Sequence, residues 1–339
     1  MNAQTVSLIA AVLFAVVASW ALILTASDIR RRQWLRLKLA EGRYLGFETA
    51  EKDLLATASV PSEAKGTAAA PLFEYNEAFR LRIVIPRHEK APGATARFLA
   101  IEDIQALELF LRKRPEILES QHVSELLADP KSMHADYANE NLLLIGSPVS
   151  DDLTGVVLED PHVRQKLDCW FDVRREEAGR VPSKSPGGRA LVQFGGESIF
   201  SPIYELEERF QLDPISFDIP FMDYGIILKV RSPLEPMHDE KDAPTVFILA
   251  GVGALGTLGA AVYLFENGED LAAKVDGSEF AALVRVKCKE WRNKDERPTA
   301  SLVAWSIPGA DNQAIVTWNE KVPRNEPVRT SVRRGFGIT

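Results

Sequence analysis

Cysteine and histidine are scarce in this chain of 339 residues, which contains two cysteines and five histidines. Cys169 and Cys288 are far apart in sequence, and no cysteine or histidine falls at a spacing typical of metal ligands. The sequence therefore predicts no metal site. Two isolated cysteines favour free thiols in a reducing compartment over a disulfide framework, with a single bridge as the open alternative.

An excess of basic residues is also missing, since 40 Lys and Arg stand against 48 Asp and Glu, for a net charge of −8. A nucleic-acid-binding protein normally carries a basic footprint, so no nucleic-acid partner is predicted. Catalytic signatures are absent as well: Ser147 has no G-x-S-x-G setting, and no P-loop is found. The sequence names neither a cofactor nor a catalytic residue.

Long uncharged hydrophobic runs are few, and the first covers residues 6–25. Its length matches a transmembrane helix. Five basic residues follow it, at positions 30, 31, 32, 36 and 38, whereas a cleavable signal peptide would carry its positive charge in front. By the positive-inside rule the short N-terminus lies outside and the rest of the chain continues in the cytoplasm. We therefore predict a single-pass inner or cell membrane protein, with the lipid bilayer as a partner.

The second run, residues 245–265 with the sequence TVFILAGVGALGTLGAAVYLF, has two interpretations. It is long enough for a second membrane helix, which would make a two-pass protein. It also reads as a strand, a glycine-rich loop and a helix of a nucleotide-binding fold. Residues 281–339 carry eleven Lys and Arg against six Asp and Glu, and a second span would place this basic tail outside. The charge distribution and the β-branched start favour the strand, loop and helix.

A second segment, residues 141–158, repeats the same order of parts: the apolar run NLLLI, a turn, and candidate helix caps at Ser150 and Asp151. Two such units predict an α/β fold with a Rossmann-like, mostly parallel sheet. Further strands are predicted at 79–85, 189–194 and 224–230, and a β-rich C-terminal extension at 280–288, 301–307 and 314–318. The predicted organisation is an anchor over residues 1–26, a juxtamembrane helix, linker and small α/β region over 27–125, and the Rossmann-like domain with its extension over 126–339.

The two glycine-containing loops are the candidate ligand site. In open parallel sheets, ligands bind beyond the carboxyl ends of strands, where backbone N–H groups and a helix N-terminus can hold an anion. The same glycines are equally what tight turns require. Asp223, which precedes a predicted strand, is interpreted mainly as a turn residue and otherwise as an acid at the sheet edge. The predicted ligand-binding residues are Gly146, Ser147, Ser150 and Asp151 in the first loop and Gly251, Gly253, Gly256 and Thr257 in the second.

Residues 247–257, FILAGVGALGT, resemble the strand, glycine loop and Gly-Thr helix start of the SLOG (LOG/DprA-like) Rossmann-like nucleotide-recognition domains. The resemblance covers eleven residues. It departs from the family pattern at Ala250, where the family has proline, and at Gly259 to Ala261, where the family's acid is missing. The resemblance implies a nucleotide-type ligand, with binding favoured over hydrolysis.

Three functions follow from these patterns. The favoured one is a membrane-anchored cytoplasmic receptor or sensor that binds a small anionic, nucleotide-like ligand. The second is a membrane-bound hydrolase acting on a nucleotide-type substrate, which requires an acid in the loop cleft. The third is a two-span scaffold subunit of a membrane complex, whose loops would be packed shut. A homo-oligomer and a membrane partner protein are both compatible with the sequence.

Overall fold

The architecture was taken from a computed structural model of the chain, which describes residues 44–46, 72, 75–85, 98–114, 137–148, 152–174, 189–201, 221–234, 243–275, 279–289 and 297–320. The predicted anchor at residues 6–25, and the predicted cap and ligand residues Ser150 and Asp151, lie outside these ranges. Among the helices within them, none is both long enough and apolar enough to cross a membrane.

Twelve strands and four helices are described. The strands are β1 (Tyr44–Gly46), β2 (Leu81–Val84), β3 (Phe98–Ala100), β4 (Asn141–Ile145), β5 (Cys169–Arg174), β6 (Arg189–Phe194), β7 (Glu197–Ile199), β8 (Phe221–Arg231), β9 (Thr245–Gly251), β10 (Phe280–Cys288), β11 (Thr299–Pro308) and β12 (Ala314–Trp318). The helices are α1 (Ile101–Lys113), α2 (Asp152–Glu159), α3 (Pro161–Leu167) and α4 (Ala254–Val275).

Seven strands form one mixed sheet in the order β12-β11-β10-β8-β9-β4-β2. The pairs β2/β4 and β4/β9 are parallel, while β9/β8, β8/β10, β10/β11 and β11/β12 are antiparallel. Five strands therefore share one direction, and β8 and β11 run against them. β10 is parallel to β9 but not next to it, because α4 carries the chain over β8 in a crossover.

The α/β class and the antiparallel C-terminal extension are thus confirmed, but parallel neighbours are confined to β2, β4 and β9. β8 enters the sheet between β9 and β10 and converts what would be a parallel pair into two antiparallel ones. Residues 245–265 form β9 and the first half of α4, as the strand, loop and helix interpretation predicted. β9 is hydrogen-bonded to a strand on each side, so no continuous helix forms over this segment.

Apolar side chains alternate between the two faces of the sheet and build two cores. On one face, Leu143, Phe247 and Leu249 pack with α1 and α4. On the other face, Leu144 and Ile248 pack with α2, α3 and the β5-β6-β7 sheet. The sheet is therefore covered on both sides, which explains why β4 and β9 are continuous apolar runs rather than alternating ones.

β2 and α1 lie before the predicted domain boundary near residue 125, yet both join this fold. β2 pairs in parallel with β4, and Phe110 of α1 packs against Phe265 of α4 with ring centroids 6.3 Å apart. Among the described residues, those before and after the predicted boundary belong to the same hydrophobic cores. The physical reason is that β2 has a paired edge and a buried face only as part of the larger sheet.

The small sheet β5-β6-β7 was predicted only at β6. Its β6-β7 hairpin turns on Gly195 and Gly196, both at positive φ, as a two-residue hairpin loop requires. Phe194 stacks edge-on against Trp318 of β12, with ring centroids 6.0 Å apart. The hairpin thus closes the second core over the C-terminal extension.

Candidate functional site

The carboxyl ends of β4 and β9 form a topological switch point. These strands are parallel neighbours, but the chain leaves them toward opposite faces of the sheet. After β4 it enters α2, whose Leu153 and Val157 belong to one core, and after β9 it enters α4, whose Leu264 and Phe265 belong to the other. In open α/β sheets, loops that diverge in this way generally leave a crevice between them, and ligands bind there.

The predicted ligand residues that the structure describes, which exclude Ser150 and Asp151, come from neighbouring strand ends at this point. Gly146 follows β4 at a φ of 125° and donates its N–H to the carbonyl of Leu249, 2.8 Å away. Ser147 is half-buried directly after it. Gly251 ends β9, and Gly253 is partly exposed at the turn into α4. The two loops therefore lie next to each other at one edge of the sheet.

The glycines of the second loop are required for close packing of backbone on backbone. A Cβ added to Gly256 would lie 2.1 Å from the carbonyl oxygen of Tyr224, and one added to Gly251 would lie 2.1 Å from that of Gly253. On the facing strand, a Cβ on Gly225 would lie 2.1 Å from the carbonyl oxygen of Gly256. These positions allow the first turn of α4 to contact β8 directly, so they are explained without a ligand.

The anion-binding position of this loop is occupied by a side chain of the protein. Asp223, fully buried in β8, accepts the N–H of Gly253 at 3.1 and 3.3 Å and the N–H of Gly256 at 2.7 Å. It also accepts the N–H of Tyr224 at 2.8 Å. Backbone donors at a helix N-terminus are the groups that hold phosphate in nucleotide-binding folds. Here Asp223 takes that place.

Burial dominates the titration of Asp223. Removal from water raises the pKa of this carboxyl to about 6, opposed by Ser201 and by the three backbone N–H groups. The Ser201 hydroxyl is buried next to the carboxyl, although its geometry falls short of a full hydrogen bond. At neutral pH the carboxylate is therefore mostly ionised, and the N–H groups around it replace part of its lost hydration.

Thr257 was predicted to cap the helix or to donate to a ligand phosphate. It lies within the first turn of α4 and is 1 % exposed. Among the described residues its hydroxyl oxygen has no hydrogen-bond partner. The side chain therefore neither caps the helix nor reaches solvent.

A second polar group lies along the same edge, on the face that carries α2 and α3. Arg285 of β10 is directly opposite Tyr224 of β8. Its Nη2 atom contacts the Glu320 carboxylate at 2.7 Å. Burial raises the pKa of the Tyr224 hydroxyl, and the nearby Arg285 guanidinium partly opposes this rise. Tyr224, Arg285 and Glu320 thus form one cluster, called here the arginine cluster.

Sequence reasoning missed the roles of Asp223 and Arg285. Asp223 was interpreted mainly as a turn residue, but it sits inside β8, where it pairs with Val286. The available signal was the order Asp-Tyr-Gly at the start of an apolar strand, but no rule of spacing links it to a glycine loop 28 residues later. Arg285 gave no signal at all. Across the described ranges, no group of three or more His, Cys, Asp or Glu side chains is placed to hold a metal ion.

Comparison of the chain with protein-family models, with curated proteins and with solved structures found no match.

Proposed function

We propose that this chain is a membrane-anchored binding protein whose cytoplasmic α/β domain takes a small anionic, nucleotide-like ligand in the crevice between the loops after β4 and β9. The observation that carries the proposal is the switch point: two parallel neighbours whose following helices pack on opposite faces. Such crevices are the usual ligand sites of open α/β sheets. The membrane anchor rests on the charge pattern around residues 6–25.

Binding is favoured over hydrolysis by the state of the nearest acid. Asp223 is the described carboxyl group closest to the glycine loop, and three backbone N–H groups hold it in full burial. A general acid or base must reach the proton that it transfers. An enclosed carboxylate meets the structural need of the loop instead, so we place no catalytic role on it.

A second function, a ligand-free scaffold, is favoured by one specific observation. The donors of the glycine loop are satisfied internally: Val252 donates to the Tyr224 carbonyl at 2.9 Å, and Gly253 and Gly256 donate to Asp223. A loop whose donors are already occupied has less to offer a ligand. The two proposed functions therefore lead to opposite expectations: a binding protein takes a nucleotide-like ligand in the crevice, and a scaffold takes none.

Thermal-shift measurements on the full chain in mild detergent, with nucleotides and dinucleotides as probes, test the proposal. A ligand that binds only the native state increases the free energy of unfolding by mass action, by about 2.7 kcal/mol at a hundredfold excess over Kd. The thermal midpoint rises as a result. We expect Ala254→Trp to remove this shift, because Ala254 is partly exposed at the first turn of α4, beside the crevice.

The matched control is Ala273→Trp, an exposed alanine near the other end of the same helix. Both substitutions replace an alanine of α4 by the same side chain, but Ala273 lies beyond the kink at Asn267 and away from the crevice. Ala273→Trp should keep the ligand shift intact. Absence of any shift with the wild-type chain across the probe set would instead support the scaffold.

A further inference from the structure

In the arginine cluster, the Glu320 carboxylate meets only part of the hydrogen-bonding capacity of the Arg285 guanidinium. Glu320 contacts Nη2 of Arg285 through one oxygen, while Nε of Arg285 is buried and has no hydrogen-bond partner in the described part of the chain. The Arg285 and Glu320 side chains are 21 % and 35 % exposed, so a small solute can reach the cluster from solvent. A buried guanidinium N–H without an acceptor is unfavourable, and the cluster therefore lacks one acceptor atom.

Glu320 is brought to this position by an irregularity in β11. The register between β10 and β11 shifts at Leu283 and Val284, leaving Val303 as an extra residue on β11. The carbonyl of Val303 then accepts the N–H of Asn319 at 2.8 Å and that of Glu320 at 3.2 Å. Bulges commonly redirect a strand beside a functional site. This one seats Glu320 against Arg285.

The glycine loop and the arginine cluster differ in how much of their donor capacity is used. At the loop, Asp223 accepts from both Gly253 and Gly256. At the cluster, Nη2 of Arg285 contacts Glu320, while Nε has no hydrogen-bond partner among the residues that the structure describes. A phosphate group can accept from Nε and an Nη atom together through two of its oxygens, and this would supply the acceptor that Nε of Arg285 lacks beside Glu320.

We propose that Arg285, assisted by the Tyr224 hydroxyl, receives the phosphate of the ligand, and that Glu320 occupies this position when the ligand is absent. This inference rests on the proposed binding function and moves its anionic contact from the glycine loop to the arginine cluster. Arg285 and Tyr224 face each other on adjacent strands near the end of β10 and the start of β8. The cluster is one strand away from the β9 side of the crevice.

The test compares Arg285→Gln with Glu320→Gln in the full chain in mild detergent, using inorganic phosphate and AMP as probes. Both substitutions remove the same ion pair, so a purely structural role changes the two variants in the same direction. A phosphate-binding role changes them in opposite directions. We expect Arg285→Gln to weaken binding by about tenfold or more, the equivalent of one charge-assisted pair, and Glu320→Gln to strengthen it by removing the competing carboxylate.

Arg285→Lys and Tyr224→Phe refine the test. Lysine keeps the charge but loses the planar fork, so it should bind phosphate between the wild type and Arg285→Gln. Tyr224→Phe removes only the hydroxyl and should weaken binding less than Arg285→Gln does. Equal weakening by Arg285→Gln and Glu320→Gln, or unchanged binding in Arg285→Gln, would overturn the assignment.

The outcome is separable from that of the proposed function. If Ala254→Trp abolishes AMP binding while Arg285→Gln leaves it intact, the crevice stands and this inference fails. If Arg285→Gln weakens phosphate binding and Glu320→Gln strengthens it while Ala254→Trp changes nothing, the cluster stands and the crevice fails.

A phosphate group could also belong to a lipid, and the bilayer distinguishes the two sources. The full chain is reconstituted without nucleotide in phosphatidylglycerol and in phosphatidylcholine nanodiscs, and its midpoint is compared with that of Arg285→Gln. A rise specific to phosphatidylglycerol and lost in Arg285→Gln would support the cluster with a headgroup as its phosphate. Equal midpoints in both lipids, together with the AMP response above, support a soluble ligand.

Discussion

Two buried polar side chains, Asn141 and Asp223, lie at opposite ends of the strands of the large sheet. These ends are called here the amino edge and the carboxyl edge, after the ends of β4 and β9 that lie there. Asn141 begins β4 at the amino edge, where its Nδ2 donates to the carbonyls of Asn76 and Phe79, each at 2.7 Å. Its Oδ1 accepts the N–H of Thr245 at 2.8 Å. Asp223 lies at the carboxyl edge and accepts three backbone N–H groups, those of Tyr224, Gly253 and Gly256. One residue joins the starts of three parallel strands, and the other joins β8 to the glycine loop.

The difference between the two residues follows from the groups that surround them. Asn141 faces two acceptors and one donor, which an amide matches without charge. Asp223 faces three donors, which a carboxylate matches at the expense of burying a charge. Asn141 therefore adds no titratable group to the amino edge, while the carboxyl edge, where the proposed ligand binds, carries the titratable Asp223.

The largest expected effect comes from converting the amino edge into a copy of the carboxyl edge. Asn141→Asp places a carboxylate against the carbonyls of Asn76 and Phe79, so we expect a loss of about 4 kcal/mol in unfolding free energy at pH 8, the scale of an uncompensated buried charge. Urea unfolding of the full chain in mild detergent measures it. The matched control is Asn139→Asp, an exposed asparagine two residues earlier, which should change stability by less than about 0.5 kcal/mol. Similar losses in the two variants would contradict the role of Asn141.

The next effect is the pH dependence that Asp223 gives to the carboxyl edge. Burial raises the pKa of its carboxyl to about 6, above the ordinary value of 3.8. Between these values the folded state binds more protons than the unfolded state, so stability decreases as pH rises through this window and is constant above it.

Comparison with Asp223→Asn isolates this contribution. The variant does not titrate at this position, so the stability of the wild type relative to it should be greatest near pH 4, should decline through pH 6 and should then level off. Urea midpoints of both chains at pH 4, 5, 6 and 8 measure the difference. An advantage of the wild type that grows with pH would mean that the backbone donors outweigh burial and hold the pKa below its ordinary value.

The smallest expected effect concerns the two arginine ion pairs at the two edges. Arg82 binds Glu140 through two hydrogen bonds, Nε to Oε2 at 3.0 Å and Nη2 to Oε1 at 2.8 Å. Arg285 contacts Glu320 through Nη2 at 2.7 Å. Glu140→Gln should therefore cost about 1 kcal/mol and Glu320→Gln less, because both pairs are partly screened by solvent. A larger loss in Glu320→Gln would show that the arginine cluster is built for stability.

Most strands and the long helices could be predicted from the sequence because their signals are local. β4 and β9 are uninterrupted apolar runs bounded by turn residues, and α1 has acidic residues in its first turn and basic residues in its last. Four strands were missed: β1, β3 and β7 have only three residues each, and β5 ends in charged side chains. The strand β1 also corrects the predicted juxtamembrane helix at residues 44–46. The position of β8 between β9 and β10 could not be predicted, since strand order depends on contacts between segments that are distant in sequence.

By itself the sequence determined most of the strands of the large sheet and its two long helices, that glycines follow β9, and that the loops after β4 and β9 belong to similar units. Only the tertiary structure decided what those glycines face. Asp223 reaches Gly253 and Gly256 because β8 pairs with β9, and Glu320 reaches Arg285 because β11 bulges at Val303. Local sequence patterns encode backbone conformation. Which side chain accepts a hydrogen bond from a given donor depends instead on which strands become neighbours in the sheet.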